Sequence, residues 1–502
     1  MSLSTARYDR WKAPAADGET LVWPAADQLL QDTRDNHQRL GDAHSVRIQN
    51  LPLPELRTQM RQWLGHRQDD QPLIATGHQA ELYHPGVWAK DALIDAVARR
   101  LDGQAYHVAV DTDEPKHLQL RFPGGSIPLL EDADADARWT ALLPAPTPAH
   151  LVAIERDLNA AAASWNFQPM IGRFLTNMRR STLESPDLAT ALTNSLHELD
   201  WSLGLRHHAL LASPIWMSEP YLVFAHHLLA RAGDFAGDYN AALADYRAEN
   251  KIRSAGRPMP DLTCSSHGCE TPFWLDALDQ NTRVRAAVER QTDGSFAMTA
   301  PQGERFEFSA SADGWEAAGR LRAWLLRNQL RLSPRALTLT AVLRLLVADQ
   351  FAHGIGGGQY DQVLDGLIAR HFNLEPPRFC VTTATLFFPS AVERNRVCLP
   401  CVQQEGRRLK HSVLGEQKTR IVERIERLPR RSTERAELFF AMHDQLAAAW
   451  KGDAVRDWER RYEQAERRSA EERTLFDREL FYAIQPASRL SAIIERQRAQ
   501  LA

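Results

Sequence analysis

The pattern of apolar and polar positions marks out an α/β opening near residue 71. A short apolar run, QPLIAT, leads into a polar loop, and Ala89, Leu93, Ala96, Val97 and Leu101 then recur at helical spacing. A second apolar run, YHVAV, follows and ends in DTDEPKH. Strand, polar loop, helix and strand is the start of a parallel α/β unit, whose ligands bind at the carboxyl ends of the strands. Both polar clusters fall there.

Downstream the pattern alternates. Residues 125–215 are mixed, with Pro-rich breaks at 144–148 and helices after them. EPYLVFAHHLLARAGDFAGDYNAALADYRAENKIR reads as helix with a Gly-Asp break. RPMPDLTCSSHGCETPFW is irregular, and RVRAAVER and RFEFSA have the character of short strands. LSPRALTLTAVLRLLVADQFAHGIGGGQYDQVLDGLIARHF predicts helix, glycine-rich loop and helix, and FCVTTATLFF a strand that returns to the α/β core. Beyond 391 Arg and Glu become dense. Leu414, Ile421, Ile425 and Leu428 form one apolar stripe, Pro429 interrupts, and Leu438, Met442, Leu446 and Trp450 form a second. A charged third segment runs to about 482, so two or three antiparallel helices, as in a coiled coil, are expected. The resulting division is an N-terminal extension (1–70), an α/β core with insertions at about 125–330 (71–390), and a helical region (391–502).

Composition narrows the class of protein. A chain of 502 residues exceeds one simple core, and 44% hydrophobic with 25% charged residues is ordinary globular composition. A net charge of −4 gives no bulk attraction to nucleic acid or anionic membrane. No apolar stretch approaches the ~20 residues that span a bilayer. MSLSTARYDRWKAPAADGET lacks the apolar core of a secretory signal. A cytoplasmic protein acting on small molecules, with neither nucleic-acid nor membrane partners, is the expectation.

Four clusters have chemical capacity. In the first loop, His78, Glu81 and His84 lie between Gly77 and Gly86; imidazoles after a first strand can steady phosphate oxygens, although the spacing is not the H-x-G-H of nucleotidylyltransferases. Alternatively the histidines only bond the turn's own backbone. After the second strand, Asp111 and Asp113, with Glu114, Lys116 and His117, can hold a metal, a ribose or an amine, or can simply make a polar turn. The third cluster is HGIGGGQYD. Gly356, Gly357 and Gly358 let backbone N–H groups approach an anion, with His353 and Asp361 alongside, but neither the P-loop lysine nor a strand-preceded G-x-G-x-x-G is present. Last, Cys264, His267 and Cys269 with Cys398 and Cys401 contain the ligand types of a zinc site, while Cys380 sits in an apolar strand.

In order along the chain, these segments resemble the bacillithiol-biosynthesis cysteine-adding family, BshC. ATGHQAELYHPGVWAKDALID is similar to its T-G-Q-Q-A-G-L-F-x-G-P-x-Y-x-x-x-K, DTDE stands at its acidic E-D-H-D stretch, and FAGDYNAALADYRAEN resembles F-x-x-x-Y-N-x-x-x-x-x-Y-R. LSPRALTLTAVLRLLVADQFAHGIGGG with TTATLFF resembles its L-S-P-R…G-G-P-G-E…S-A-T-L run. The resemblance implies a Rossmann-like, nucleotidyltransferase-type core with insertions and a coiled-coil region that can form a homodimer. It also implies a carbon–nitrogen ligase that binds a nucleotide (ATP or ADP) and joins cysteine or a similar amino acid to an amino-sugar. On that basis His78, His84, Asp111 and Asp113 are the candidate catalytic residues. Gly77, Gln79, Glu81, Lys90, His117, His353, Gly356, Gly357, Gly358 and Asp361 are candidate binding residues. The departures fall in the ligand loops: His78 replaces the first Gln, Glu81 replaces a Gly, Pro85-Gly86 reverses Gly-Pro, Lys90 comes two residues early, and Gly358-Gln359 lacks Pro and Glu. A changed substrate is therefore expected. Two alternatives stand beside it: a metal-dependent hydrolase or nucleotidyltransferase on the same core, with His78, His84, Asp111, Asp113 and His117 as ligands, and a non-catalytic nucleotide-binding scaffold that uses its C-terminal helices to bind a partner.

Overall fold

A computed structural model describes residues 11–66, 70–132, 137–266, 268–391 and 398–501. Residues 1–10 of the expected N-terminal extension, and His267 of the expected zinc ligands, lie outside them. One compact unit comprises Met1–Arg121, Ser126–Leu386 and Arg478–Ala502, and a second comprises Phe122–Gly125 and Phe387–Asp477.

The first unit is built on a six-stranded sheet. Its strands in chain order are β1 (Thr20–Trp23), β2 (Leu73–Gln79), β3 (Gln104–Val110), β4 (His207–Leu211), β5 (Gln350–His353) and β6 (Cys380–Ala384). The spatial order is β1-β6-β5-β2-β3-β4. All neighbours are parallel except β1, which runs antiparallel to β6 at the edge. Leu73, Ile74 and Ala75 are completely buried, as a parallel strand covered on both faces requires. From β2 the chain steps outward through β3 to β4, then returns to the other side of β2 for β5 and β6. The order reverses between β2 and β5.

Helices α1 (Ala26–Gly41), α2 (Leu53–Trp63), α3 (Pro85–Leu101), α4 (Ile355–His371) and α5 (Ala487–Gln500) pack about this sheet. The fully buried Asp349, just before β5, organises one end. Its carboxylate accepts from Arg57 at 2.6 Å and Arg61 at 2.7 Å, both on α2, and from the backbone N–H of Leu73 at 2.8 Å. Burial works against its ionised form, but Arg61 and Arg57 hold its carboxyl well below the usual range. At the other end of the chain, α5 buries Leu490, Ile493 and Ile494, and Gln497 donates to Ala89 O on α3 at 3.0 Å. The expected boundaries at 70 and 390 thus differ from the compact units: the edge strand β1 and the final helix both belong with the sheet.

The insertion contains the helices Pro148–Ala162, Ile171–Glu184 and Leu188–Ser202, and a separate antiparallel sheet ordered Arg305–Phe308, Phe296–Thr299, Thr282–Arg290, Gly268–Ala277, Leu330–Pro334. The break in the long helical stretch falls at Arg231, not at the following Gly-Asp. The apolar run after 330 also departs from expectation. It gives a strand, a helix (Ala336–Val342) prolonged by a wider turn (Leu343–Val347), and then β5. Gln350–His353 is buried throughout, so periodicity could not separate this short strand from the helix before it.

The second unit is helical: Leu399–Ser412, Gly415–Glu426, Thr433–Ala449 and Asp453–Leu475. Its two apolar stripes meet as expected, with Ile425, Met442 and Leu446 buried among Leu414, Ile421 and Leu438. Trp458 packs on Gly406 and donates to Val402 O at 2.8 Å, pinning the long last helix to the first.

Candidate functional site

Where the strand order reverses, a crevice opens at the carboxyl ends of β2, β5 and β6. Open α/β sheets bind ligands at such a point, because neighbouring crossover segments diverge there. A cavity of about 410 Å³ occupies it. Gly77 and His78 contribute from β2, His353 from β5, Gly354 from the cap of α4, and Thr383 from β6. His84, Gly86, Val87 and Lys90 come from the start of α3, Gly356 and Gly357 from the first turn of α4, and Arg478 and Glu479 from just before the final segment of the chain.

The glycine run is not an interhelical loop. It is the N-terminal turn of α4, entered directly from β5, and no side chain among the described residues caps it. First-turn N–H groups have no partner within their helix and carry the positive end of its dipole, so they favour an anion. The glycines divide the work. A Cβ on Gly356 meets nothing within 4 Å, one on Gly357 would stand 2.8 Å from His353 Nδ1, and one on Gly358 would collide with Val381 and Trp11. Gly358 therefore serves packing against β6 and does not line the cavity. Gly86 is tighter still: a Cβ there would lie within 2.8 Å of Arg478, Thr383 and His84 together.

The two loop histidines differ in tautomer. His84 caps α3, its Nδ1 accepting from Gly86 N at 3.0 Å, so the neutral ring carries its proton on Nε2 and donates from there. The Nδ1 of His78 lies 3.2 Å from Gln79 O and must donate, which leaves Nε2 as an acceptor. Burial, and then Arg478, His117 and Lys90, lowers His84 to about 3. Burial, and then Lys90, pushes His78 well below the usual imidazole range. Both rings are neutral at physiological pH. The positive charge of the cavity comes instead from Arg478, which donates to Thr383 Oγ1 at 2.9 Å, and from Lys90, buried and lowered to about 8. Lys90 Nζ donates to Gly77 O at 2.6 Å.

Other residues singled out in the sequence have different employment. Glu81 is buried outside the cavity lining; it accepts from Lys116 N at 2.7 Å and His117 N at 3.2 Å, tying the first polar loop to the second. His117 takes part through its backbone. Gln79 alternates to the opposite side of β2, beside His107 and His197. Asp111 is buried against Ser213, accepting from its N–H at 2.8 Å and from its hydroxyl. Asp113 pairs with Arg283 at 3.0 Å and lines a separate cleft with Trp274 and Arg335. Asp361 lies under the cavity, bonded to Arg344 and, at 3.0 Å, to His353 Nε2. Cys264 bonds Cys269 and Cys398 bonds Cys401, so each pair closes locally rather than gathering around an ion. Among the described residues, no three His, Cys, Asp or Glu side chains are grouped to hold a metal.

Arg478 and Thr383 carry no local signal in the sequence; only topology brings them to the first loop. A buried cluster behind that loop was also missed. Tyr83 stacks between the rings of His107 and Tyr482, and His107 Nδ1 bonds Asp91 at 2.6 Å. Although burial raises it, the contact with His107 lowers Asp91 overall. The cluster braces Tyr83, whose ring lies 5.8 Å from that of His78. Compared with known proteins, the chain matches no family model and no curated protein.

Proposed function

We propose that the protein is a nucleotide-using carbon–nitrogen ligase of the BshC-like kind on a Rossmann-like core, joining an amino acid to an amine. The observation that carries this reading is the convergence, at the reversal of strand order, of an uncapped helix start with Arg478, Lys90 and the donating Nε2 of His84. That donor set fits phosphate oxygens. Arg478, Lys90, His84 and the amides of Gly356 and Gly357 would hold the phosphates of ATP or ADP; ATP, when bound, supplies the driving force for condensation. His78, with Nε2 unprotonated, is placed to take the proton that an attacking amine must lose. The glycine roles support the same core type, with two close to the ligand space and one allowing helix–strand packing.

The local bonding of Asp111, Asp113 and Glu81 weighs against a metal-dependent hydrolase that uses those carboxylates. In the second unit the exposed Phe439 and Phe440 support a homodimer through the C-terminal helices, in the manner of a coiled coil. A cytoplasmic location is part of the reading; no helix among the described residues is long and apolar enough to cross a membrane.

Calorimetry with ATP and ADP, followed by an amide-formation assay over amino acids and amino-sugars, tests the proposal. Arg478→Ala should weaken nucleotide binding about tenfold or more, the worth of one charge-assisted hydrogen bond. His78→Ala should abolish turnover and leave nucleotide affinity within about threefold, since it removes a proton acceptor and no phosphate donor. Absence of nucleotide binding in the parent protein, or full turnover in His78→Ala, would sink the assignment.

A further inference from the structure

The cysteines left over from the site form a second chemical feature. Cys398 and Cys401 are bonded to each other within the sequence Cys-Leu-Pro-Cys, and both stand at exposed positions. Cys398 is the N-cap of the helix Leu399–Ser412, and its Sγ accepts from the backbone N–H of Cys401 at 3.3 Å. In the reduced state the same N–H and the helix dipole would stabilise a thiolate on Cys398, the combination that makes a cysteine nucleophilic. An exposed bond between residues this close in sequence closes too small a loop to stabilise the fold greatly. The other cysteines contrast with it. Cys264–Cys269 spans directly opposed residues of an antiparallel ladder, and Cys380 is buried, its thiol pushed up to about 12.

We propose that Cys398 and Cys401 are a reversible dithiol–disulfide site that exchanges electrons with low-molecular-weight thiols and their disulfides. In the oxidising direction the Cys398 thiolate attacks a small disulfide, forming a mixed disulfide and releasing one small thiol. Cys401 loses its proton and attacks Cys398 Sγ, forming the internal bond and releasing the second thiol. Two protein thiols yield two electrons and two protons, and one small disulfide becomes two thiols. Reduction is the reverse, with two small thiols as reductant.

The test equilibrates the full chain in graded ratios of reduced and oxidised glutathione, then alkylates and maps peptides by mass spectrometry. Cys398 and Cys401 should become labelled together over a single two-electron transition, with Cys380 unlabelled and the circular dichroism unchanged. Cys401→Ser should trap glutathione on Cys398, about tenfold faster than Cys398→Ser traps it on Cys401. A pair that stays bonded at every ratio while the protein is folded overturns the proposal. So does a Cys401→Ser protein that takes up no glutathione.

Discussion

His78 at the end of β2 and His84 at the cap of α3 have opposite hydrogen-bonding roles, and the difference rests on whether Nδ1 meets a backbone carbonyl or a backbone N–H. Because burial keeps both neutral, neither should titrate near 6.5 in the working protein. The acid limb of kcat/KM should therefore fall below the ordinary imidazole range; a limb at pH 6.5–7 would show that His78 is not the proton acceptor. Stability follows the same logic elsewhere. His226 is buried on the ring of Phe308 with no hydrogen-bond partner at either nitrogen among the described residues, and burial lowers it to about 4. A depressed histidine binds its proton more readily unfolded, so its contribution is intact above about pH 6.5 and is lost as pH falls toward 4, by up to ~1.4 kcal/mol per pH unit. Urea denaturation at pH 7 and pH 5 should show His226→Leu losing less stability on acidification than the parent. The glycines offer a paired comparison. Gly357→Ala should displace His353 and cost nucleotide affinity, whereas Gly356→Ala, with open space for its methyl, should leave the melting temperature equal or higher.

At the scale of elements, sequence periodicity found what local spacing determines. β2, the loop, α3 and β3 were legible from Leu73 to Val110, and the two apolar stripes of the helical region meet through Leu414, Ile421 and Ile425 on one side and Leu438, Met442 and Leu446 on the other. It missed β5, whose four buried residues follow an apolar helix without a turn signal, and so read a helix start as a loop. The polar residues show the same limit. His78, His84 and Lys90 reach the cavity, while Asp111 and Glu81 satisfy buried backbone donors, and a sequence does not display which carboxylate already has a partner. Asp349 drew no notice as a single acid in an apolar run, although two arginines and a strand start depend on it. Removing it takes the carboxylate away from two buried arginines, so Asp349→Ala should cost ~3–5 kcal/mol, read from the shift of the urea midpoint. A loss under ~1 kcal/mol would mean that α2 is held otherwise.

On the scale of the molecule, the chain leaves the sheet-bearing unit after Leu386 and rejoins it at Arg478. That return was not legible, because the Arg- and Glu-rich composition of 391–477 passes into Arg478 without a break that pattern could detect. A chain ending at Asp477 would keep all six strands but lack Arg478 and the helix α5 that covers α3, so it should bind no nucleotide and melt lower than the parent. The place of Arg478 also bears on synthesis. Translation delivers His78 well before Arg478, with the helical unit Phe387–Asp477 made in between. A nascent chain cannot bring Arg478 to the cavity that His78 lines until that unit has been synthesised. On the proposed function, a phosphate ligand would then stabilise only chains whose synthesis has passed Arg478.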